Sequence, residues 1–375
     1  MAKTPSRTPS RPQTVYLEAD VAEGLESVAT AEIRARFDKL VHFYTPVKRG
    51  REAIVGLPPD VAQGVLVFSY DGDLRELLKL QTIQALYVLA QYPVSRPKAL
   101  LGDEHLRNVR AQIASVRGLY PAGAFKTLRL NAAGSDSAVM MRFKTELAQS
   151  EGLDVADDEG DLLVRVRPTP TTGAGSASWD VLVRLSPRPL ATRPWRVCNF
   201  EGALNAAVAH ALVRLTHPNP RDVYLNIACG SGTLLVERFL AGPSRQIIGC
   251  DIDLVALACA QQNIAAAGAQ KRITLHRVDG SQLPLANRSV NAITADLPFG
   301  HLVGSHAENV RLYPLILREA ARVARHGAFF GLITHEVRLM EQLLATEDGP
   351  WSVEKVLKVE LGGLHPRIFI LQYKN

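Results

Sequence analysis

The pattern of apolar and polar positions changes along the chain. Between residues 15 and 185, short strand-like runs alternate with amphipathic helical patterns, whereas after Asp222 buried-type apolar runs alternate with longer helices. Short alternating elements predict α+β units. Repeated strand–helix units with apolar strands predict a parallel sheet with helices on both faces. The two halves of the chain are therefore expected to differ in architecture.

In the N-terminal half, apolar residues recur with a period of two in some segments and at helical spacing in others. The period-two segments predict strands over residues 14–18, 53–57, 65–70, 126–131, 162–167 and 178–185. The helical spacing predicts helices over residues 22–37, 74–80, 103–117 and 137–150. No internal repeat is present.

In the C-terminal half, strands and helices alternate regularly. The predicted strands cover residues 223–228, 246–251, 272–279, 290–296, 328–334, 352–361 and 367–373. The predicted helices end at Leu240 or cover residues 254–267, 310–325 and 336–345. We expect a doubly wound, mostly parallel sheet with an antiparallel closing hairpin, and a ligand at the carboxyl ends of its first strands.

The length and charge of the chain indicate how many domains it has and what kind of partner it binds. A chain of 375 residues exceeds what one core usually organises, so two or three domains are expected. The net charge of +6 suits a polyanionic partner. No apolar run is long enough for a membrane span, and residues 1–14 lack the apolar core of a secretory signal. We expect a short disordered basic tail there and no membrane partner.

The four cysteines are Cys198, Cys229, Cys250 and Cys259, and no two of them form a C-x-x-C motif. Three lie in apolar stretches that are typical of strands or helices. This spacing predicts neither a zinc site nor a disulfide framework and favours a reducing compartment, the cytoplasm.

Two oppositely charged stretches precede the C-terminal half. Residues 146–161 hold seven acids and no base, and residues 165–196 hold six arginines and one acid, Asp180. They are either solvated faces that offset one another or, for the arginines, a ridge that contacts phosphates. Between them, residues 168–178 have the composition of a flexible loop.

A glycine-rich segment follows the first strand of the C-terminal half, over residues 226–233 (NIACGSGT). Gly230 and Gly232 allow a tight turn and a close approach of the backbone to a ligand. A dinucleotide fingerprint would need a third glycine where Leu235 stands, and no Walker lysine follows. Taken alone, the glycine-rich segment is therefore weak evidence for a cofactor site.

Acidic residues end the next two strands. Asp251 follows Gly232 by 19 positions and can accept hydrogen bonds from both ribose hydroxyls of a nucleoside, while Asp279, followed by Gly280, can accept from an adenine amino group. A single aspartate at such a position can instead cap a helix. Polar groups at three successive strand ends favour a nucleoside site over three separate caps.

The fourth strand ends in the sequence Asp296-Leu-Pro-Phe-Gly. Pro298 stiffens the turn, and Phe299 is suited to stack on a planar ring. The Asp296 carboxylate and nearby carbonyl oxygens can accept hydrogen bonds from an exocyclic amine. The alternative is an Asx-type turn followed by a core phenylalanine.

These segments resemble the amino-methyltransferases that carry D-P-P-Y or D-L-P-Y-G motifs. NIACGSGT is similar to the first motif of that class, GCDID to the second, VDGSQLP to the third and DLPFG to the fourth. The D-L-P-F-G form looks most like the THUMP-containing tRNA guanine-N2 methyltransferases. The opening residues 16–26 and the R-P-W-R sequence at 193–196 agree with that family.

The resemblance implies an enzyme that uses S-adenosylmethionine to methylate the N2 amine of a guanosine in tRNA. It implies a disordered tail over residues 1–14, a ferredoxin-like domain over 15–70, a THUMP domain over 71–187 and a Rossmann-like methyltransferase domain over 188–375. The THUMP region would hold the acceptor end of the tRNA. A monomer without a metal is expected.

The resemblance also implies roles for individual residues. Asp296, Pro298 and Phe299 would hold the target base. The cofactor would contact Leu204, Asn205, Asn226, Ala228, Gly230, Ser231, Gly232, Thr233, Asp251, Ile252, Asp279, Gly280 and Asp296. Asn226-Ile-Ala replaces the usual D-P-M or D-P-C opening of the first motif.

Three other functions remain open at this point. The substrate can be guanine N2 in ribosomal RNA or adenine N6 in DNA, with the same chemistry. The chain can also be an RNA-binding factor that keeps a cofactor pocket without catalysis.

Overall fold

The computed structural model describes residues 14–44, 64–169, 178–297, 305–345 and 349–374. They form two compact units. The first contains the described residues up to Asp20 together with Ala31–Leu80 and Ala85–Pro189. The second contains Val21–Thr30, Gln81–Gln84 and the described residues from Leu190 onward. Each unit is built around its own sheet.

The sheet of the first unit has eight strands in the order β2-β3-β1-β4-β8-β7-β5-β6. Most neighbours are antiparallel, and β5 pairs in parallel with both β6 and β7. The strands are β1 (Val15–Asp20), β2 (Val41–Tyr44), β3 (Val65–Tyr70), β4 (Ala85–Tyr92), β5 (Thr127–Ala132), β6 (Asp154–Ala156), β7 (Leu162–Pro168) and β8 (Trp179–Arg184).

Four α-helices lie in the described residues up to residue 189. They are α1 (Glu26–Phe37), which spans the division between the units, α2 (Leu74–Leu77), α3 (Asp103–Arg117) and α4 (Ala138–Glu151). Helix α4 begins where the Ser137 hydroxyl accepts from the Met140 amide, and it ends at Gly152, which has a left-handed backbone. Helix α3 is fixed to the sheet because the Gln112 amide donates to the carbonyl oxygens of Val88 and Val181.

The sheet of the second unit has seven strands in the order β11-β10-β9-β12-β13-β15-β14. The first five are parallel, and β15 pairs antiparallel with both β13 and β14. The strands are β9 (Val223–Ile227), β10 (Gln246–Asp251), β11 (Ile273–Arg277), β12 (Val290–Asp296), β13 (Ala324–Thr334), β14 (Trp351–Lys358) and β15 (Arg367–Tyr373).

Five further helices lie in the described residues of the second unit, and the middle three each connect two parallel strands. They are α5 (Ala206–Leu215), α6 (Thr233–Leu240), α7 (Leu254–Ala266), α8 (His306–Val323) and α9 (Val337–Leu344). Leu225 of β9, Ile293 of β12 and Phe330 of β13 are fully buried in one core with Tyr313 and Ile316 of α8. No helix in the described part of the chain has the length and apolar character to cross a membrane.

The predicted doubly wound sheet with an antiparallel closing hairpin is confirmed, and the predicted bounds of β10, β12, β15 and α3 coincide with the observed ones. The prediction missed β4, because this central strand is buried on both faces and shows no alternation. It also missed β2, a strand of only four residues.

Some helix ends were predicted wrongly. Helix α1 begins at Glu26 rather than residue 22, because Gly24 adopts a φ of 91° and its amide donates to the Glu26 carboxylate. Helix α2 ends at Leu77 rather than residue 80. Helix α8 begins four residues before the predicted start, where the Ser305 hydroxyl accepts from the Glu308 amide.

Several predictions fall on residues outside the described part of the chain. These are the tail over residues 1–13, the strand over 53–57 and most of the loop over 168–178. The division of the N-terminal half at residue 70 into a ferredoxin-like and a THUMP domain stays a prediction.

Candidate functional site

The glycine-rich loop between β9 and α6 forms the floor of the site. Ala228, Gly230 and Gly232 all have positive φ values, of 51°, 52° and 81°. Gly232 permits this turn because it lacks a side chain, and a Cβ there would lie 3.2 Å from the Cβ of Ala260. The loop thus brings backbone close to the carboxyl ends of β9 and β10.

A cavity of about 600 Å³ opens above this loop, within the second unit. Its walls come from the loop, from the carboxyl ends of β10, β11 and β12, from the segment 200–204 and from the first half of α8. This is the edge where a doubly wound sheet binds its ligand, and the volume is typical of a small-molecule site.

Asp251 stands at the end of β10 and lines the cavity. One carboxylate oxygen accepts from the Gly230 amide at 2.7 Å, and the other accepts from the Asp253 amide at 2.9 Å. Asp253, and not Asp251, caps helix α7. Asp251 therefore links the glycine loop to β10 and keeps further lone pairs for hydroxyl donors.

Asp279 and Gly280 lie beyond the end of β11 and also line the cavity. Asp279 accepts from the Ser281 amide at 2.8 Å, which fixes its carboxylate. A Cβ on Gly280 would lie 2.6 Å from Cγ2 of Ile227, so the chain can approach the glycine loop this closely only without a side chain. Ile252 presents an apolar side chain beside these acids and is 63% exposed.

Asp296 ends β12 and reaches the cavity from the other side of the glycine loop. The residue is partly buried, and this burial raises the pKa of Asp296 to about 7. An acid in this state can accept a hydrogen bond and can also take up a proton near neutral pH.

The cavity fits S-adenosylmethionine by the chemistry of its walls. Hydroxyl and amine acceptors come from Asp251 and Asp279, the close approach comes from Gly280, and apolar surface comes from Ile252. The acids suit the hydroxyls of a ribose and the amino group of an adenine. The close backbone and the apolar side chain suit the flat face of the adenine ring.

Most of the predicted cofactor residues are brought together around this cavity. The predicted residues that line it are Leu204, Ala228, Gly230, Ser231, Thr233, Asp251, Ile252, Asp279, Gly280 and Asp296. Their contacts with a cofactor stay predictions. Pro298 and Phe299, the other two predicted base-holding residues, lie outside the described residues.

Three predicted cofactor residues do not line the cavity. Asn205 caps helix α5, where its side chain accepts from the amides of Ala207 and Val208. Asn226 is buried in β9 and its amide donates to the Thr294 carbonyl oxygen at 3.1 Å. Gly232 faces Ala260 of helix α7 and contributes to the turn of the loop. The cavity is also lined by three residues of α8 that the sequence did not predict, Glu308, Asn309 and Leu312.

The prediction about the cysteines was wrong in one respect. Cys198 and Cys259 form a disulfide that joins the segment before residues 200–204 to helix α7. The two residues are 61 positions apart, so their spacing gave no sign of the contact. Cys229 and Cys250 are free and buried, and burial raises the pKa of the Cys250 thiol to about 12.

Of the two interpretations of the arginine stretch, the phosphate-contacting ridge is not favoured, because all six arginines of residues 165–196 have partners within their own unit. Carboxylates pair with Arg165, Arg167, Arg188 and Arg193. Carbonyl oxygens accept from Arg184 and Arg196. Of the six, Arg188 is the exposed one, and its partner Glu159 belongs to the acidic stretch.

Comparison with known proteins agrees with this geometry. Residues 193–367 match the family UPF0020, described as an RMKL-like methyltransferase domain. The tRNA (guanine(6)-N(2))-methyltransferase THUMP3 of Mus musculus is 30% identical over 181 residues, which cover 45% of this chain and 36% of that protein. The tRNA (guanine(6)-N2)-methyltransferase of Thermus thermophilus is 30% identical over 191 residues, which cover 51% of this chain and 56% of that protein.

The matched segments thus span between about a third and a little over half of these relatives. Among solved structures, the crystal structure of TrmN from Thermus thermophilus superposes with a TM-score of 0.73 at 24% identity. The match covers 96% of this chain and 100% of that one, so the likeness in fold extends over nearly the whole chain. Residues 193–367 are therefore similar to the RMKL-like methyltransferase domain of the UPF0020 family, and S-adenosylmethionine is the cofactor that this similarity implies.

Proposed function

We propose that this protein transfers a methyl group from S-adenosylmethionine to the N2 amine of a guanosine in tRNA. The observation that carries the proposal is the position of Asp296, whose carboxyl group lines the same cavity as Asp251 and Asp279. Relatives whose names specify guanine-N2 methylation of tRNA support this choice of substrate.

The bound cofactor supplies a methyl group on a positively charged sulfur, which a neutral amine can attack. Asp296 accepts a hydrogen bond from the amine and so turns the nitrogen lone pair toward the methyl position. Since the amine must lose a proton when its new bond forms, the carboxylate of Asp296, with a pKa near 7, is suited to take that proton.

Access of the base to Asp296 requires that the guanosine leave its stack. Enzymes that act on a base commonly extrude it into a pocket and read its Watson–Crick edge. Pro298 and Phe299 directly follow the described end of this wall, and we propose that Phe299 stacks on the extruded ring.

We further propose that the N-terminal half binds the RNA. Residues 15–70 would form a ferredoxin-like domain and residues 71–187 a THUMP domain that holds the acceptor end of the tRNA. The order of these segments and the THUMP names of the relatives support the proposal. A tRNA shortened at its acceptor end should then compete poorly with intact tRNA. We propose a monomer, and we keep the cytoplasm as the proposed location on the ground of a tRNA substrate alone, because the Cys198–Cys259 disulfide removes the argument from the cysteines.

The substrate is tested by transfer of labelled methyl groups to unmodified tRNA, to ribosomal RNA and to DNA, followed by nucleoside analysis. We expect N2-methylguanosine in tRNA and no label in the other two. Label in ribosomal RNA alone, or N6-methyladenine in DNA, would replace the proposed substrate. Tight RNA binding without transfer would favour a non-catalytic RNA-binding factor.

A further inference from the structure

Asn309, in the first turns of helix α8, has a side-chain oxygen with no partner. The residue is fully buried and lines the cavity, and its Oδ1 atom accepts no hydrogen bond from the described residues. A buried acceptor without a donor costs free energy, so such atoms are rare in native proteins. An acceptor in a cavity wall indicates a donor on the ligand.

The orientation of the Asn309 amide is set by Glu336. The Asn309 Nδ2 atom donates to Oε1 of Glu336 at 3.3 Å. Since a carboxylate only accepts hydrogen bonds, the amide nitrogen must face it, and the reversed amide would set two acceptors against each other. With one N–H of Asn309 held by Glu336, its Oδ1 atom is the acceptor that remains without a protein partner.

Glu336 is itself held in place from two sides. Its second carboxylate oxygen lies 2.9 Å from Nδ1 of His306, and its backbone amide donates to the Thr334 hydroxyl at 3.0 Å. Thr334 is the last residue of β13, so Glu336 stands at the carboxyl end of that strand. The acceptor of Asn309 is thus preorganised by the sheet.

The order of the strands places this acceptor at the substrate end of the cavity. Along the carboxyl edge, Asp279 follows β11, Asp251 ends β10 and the glycine loop follows β9. Asp296 comes next, on β12, and Glu336 with Asn309 lies beyond it, next to β13. Asn309 is therefore on the far side of Asp296 from the nucleoside-binding acids.

Building on the proposed function, we propose that Asn309 Oδ1 accepts a hydrogen bond from the N1–H group of the target guanine. The Watson–Crick edge of guanine presents N1–H beside the N2 amine, so two neighbouring acceptors, Asn309 and Asp296, suit it. Adenine has a lone pair and no hydrogen at N1, which would oppose the Asn309 oxygen. Asn309 is then a specificity-determining residue that selects guanine over adenine.

The test uses tRNA in which the methylated guanosine is replaced by 2-aminopurine riboside. This base keeps the 2-amine and lacks the N1–H. For wild-type protein, we expect kcat/KM to be about tenfold or more higher with guanosine. In Asn309→Ala that ratio should fall about tenfold or more, through loss of activity on guanosine, while activity on 2-aminopurine changes little.

Glu336→Gln provides a second variant in case the buried Asn309→Ala substitution impairs folding. Glutamine can donate as well as accept, so the Asn309 amide is free to turn over and the guanosine preference should fall several-fold. Glu341→Gln, on the exposed side of α9, is the matched control and should keep the wild-type ratio. Thermal unfolding and S-adenosylmethionine binding report whether each variant is folded.

The outcomes separate this inference from the function on which it rests. Wild-type protein that forms no N2-methylguanosine would overturn both. Wild-type protein that forms it, with an unchanged ratio in folded Asn309→Ala and Glu336→Gln, would overturn the role of Asn309 alone. The same unchanged ratio with a raised KM for S-adenosylmethionine would assign Asn309 to the cofactor instead.

Discussion

At the scale of single residues, the carboxyl group of Asp296 gives the clearest expectation for how the reaction depends on pH. Burial raises its pKa to about 7, so the group changes charge within the physiological pH range. Only the ionised form accepts a hydrogen bond from the target amine through both oxygens. We expect kcat/KM to rise with pH through a midpoint near 7 and to level off above it, because this parameter reports the free enzyme.

The measurement is the initial rate of methyl transfer between pH 5.5 and 8.5 at limiting RNA. Asp296→Asn cannot titrate and should show a low rate without that midpoint. A wild-type profile that stays flat from pH 6 to pH 8 would rule out titration of Asp296 as a determinant of the rate.

Arg193 contributes to folding rather than to a phosphate-binding surface. Its guanidinium pairs with Glu237 at 2.8 Å, and the same carboxylate contacts His210 at 2.9 Å, all three side chains being buried. Removal of the arginine leaves a buried carboxylate without its cation. We expect Arg193→Ala to destabilise the fold by about 3–5 kcal/mol.

The matched control is Arg188→Ala, in the same arginine stretch. Arg188 is exposed and pairs with the exposed Glu159, an arrangement that contributes little to stability. Chemical denaturation of both variants checks the prediction. Equal stability losses, or a folded Arg193→Ala protein with selectively weakened RNA binding, would restore the ridge interpretation.

At the scale of elements, the Cys198–Cys259 disulfide fixes the segment that leads into the cavity wall over residues 200–204. Asn263 of α7 supports the same contact, since its side chain bonds both backbone groups of Cys198. A crosslink that closes a loop of this length restricts the unfolded chain. We expect reduction to lower the stability by about 2–4 kcal/mol.

The experiment compares thermal unfolding with and without a reductant. A variant with both Cys198→Ser and Cys259→Ser should melt at the same temperature in either condition, near that of the reduced wild-type protein. If the reductant leaves the melting temperature of the wild-type protein unchanged, the disulfide has no stabilising role.

The elements also indicate how far the sequence determines the fold. Strands such as β10 and β12 were predictable because each apolar run ends at an acidic residue that begins a loop. Strand β4 was not, because a strand buried on both faces has no periodicity. The first turn of α8 was missed because the Ser305 cap lies just after residues whose composition suggests a loop.

The site likewise contains residues that the sequence predicted and residues that it did not. Asp251, Asp279 and Asp296 were predictable from their places at strand ends. Asn309 was not, because its role depends on Glu336, which lies 27 positions away and approaches only in the fold. The placement of Asn226 away from the cavity likewise depends on its contact with Thr294 of the neighbouring strand.

At the scale of the whole molecule, the excess positive charge is a poor guide to where RNA binds. The net charge is +6, yet the densest group of arginines is engaged within the two units. The methyltransferase site is built from residues of the second unit alone. Binding of the RNA and chemistry on the base should therefore be separable by substitution.

The role of Asp296 in the proposed methyl transfer is best tested by the turnover of Asp296→Ala, measured as labelled methyl transfer to tRNA at saturating S-adenosylmethionine. Cofactor and RNA affinities are measured on the same protein, and Glu341→Ala is the exposed control. We expect turnover to fall by about 10²-fold or more, with both affinities within about threefold of wild type. Turnover near the wild-type value in folded Asp296→Ala would show that this carboxylate does not hold the methylated amine.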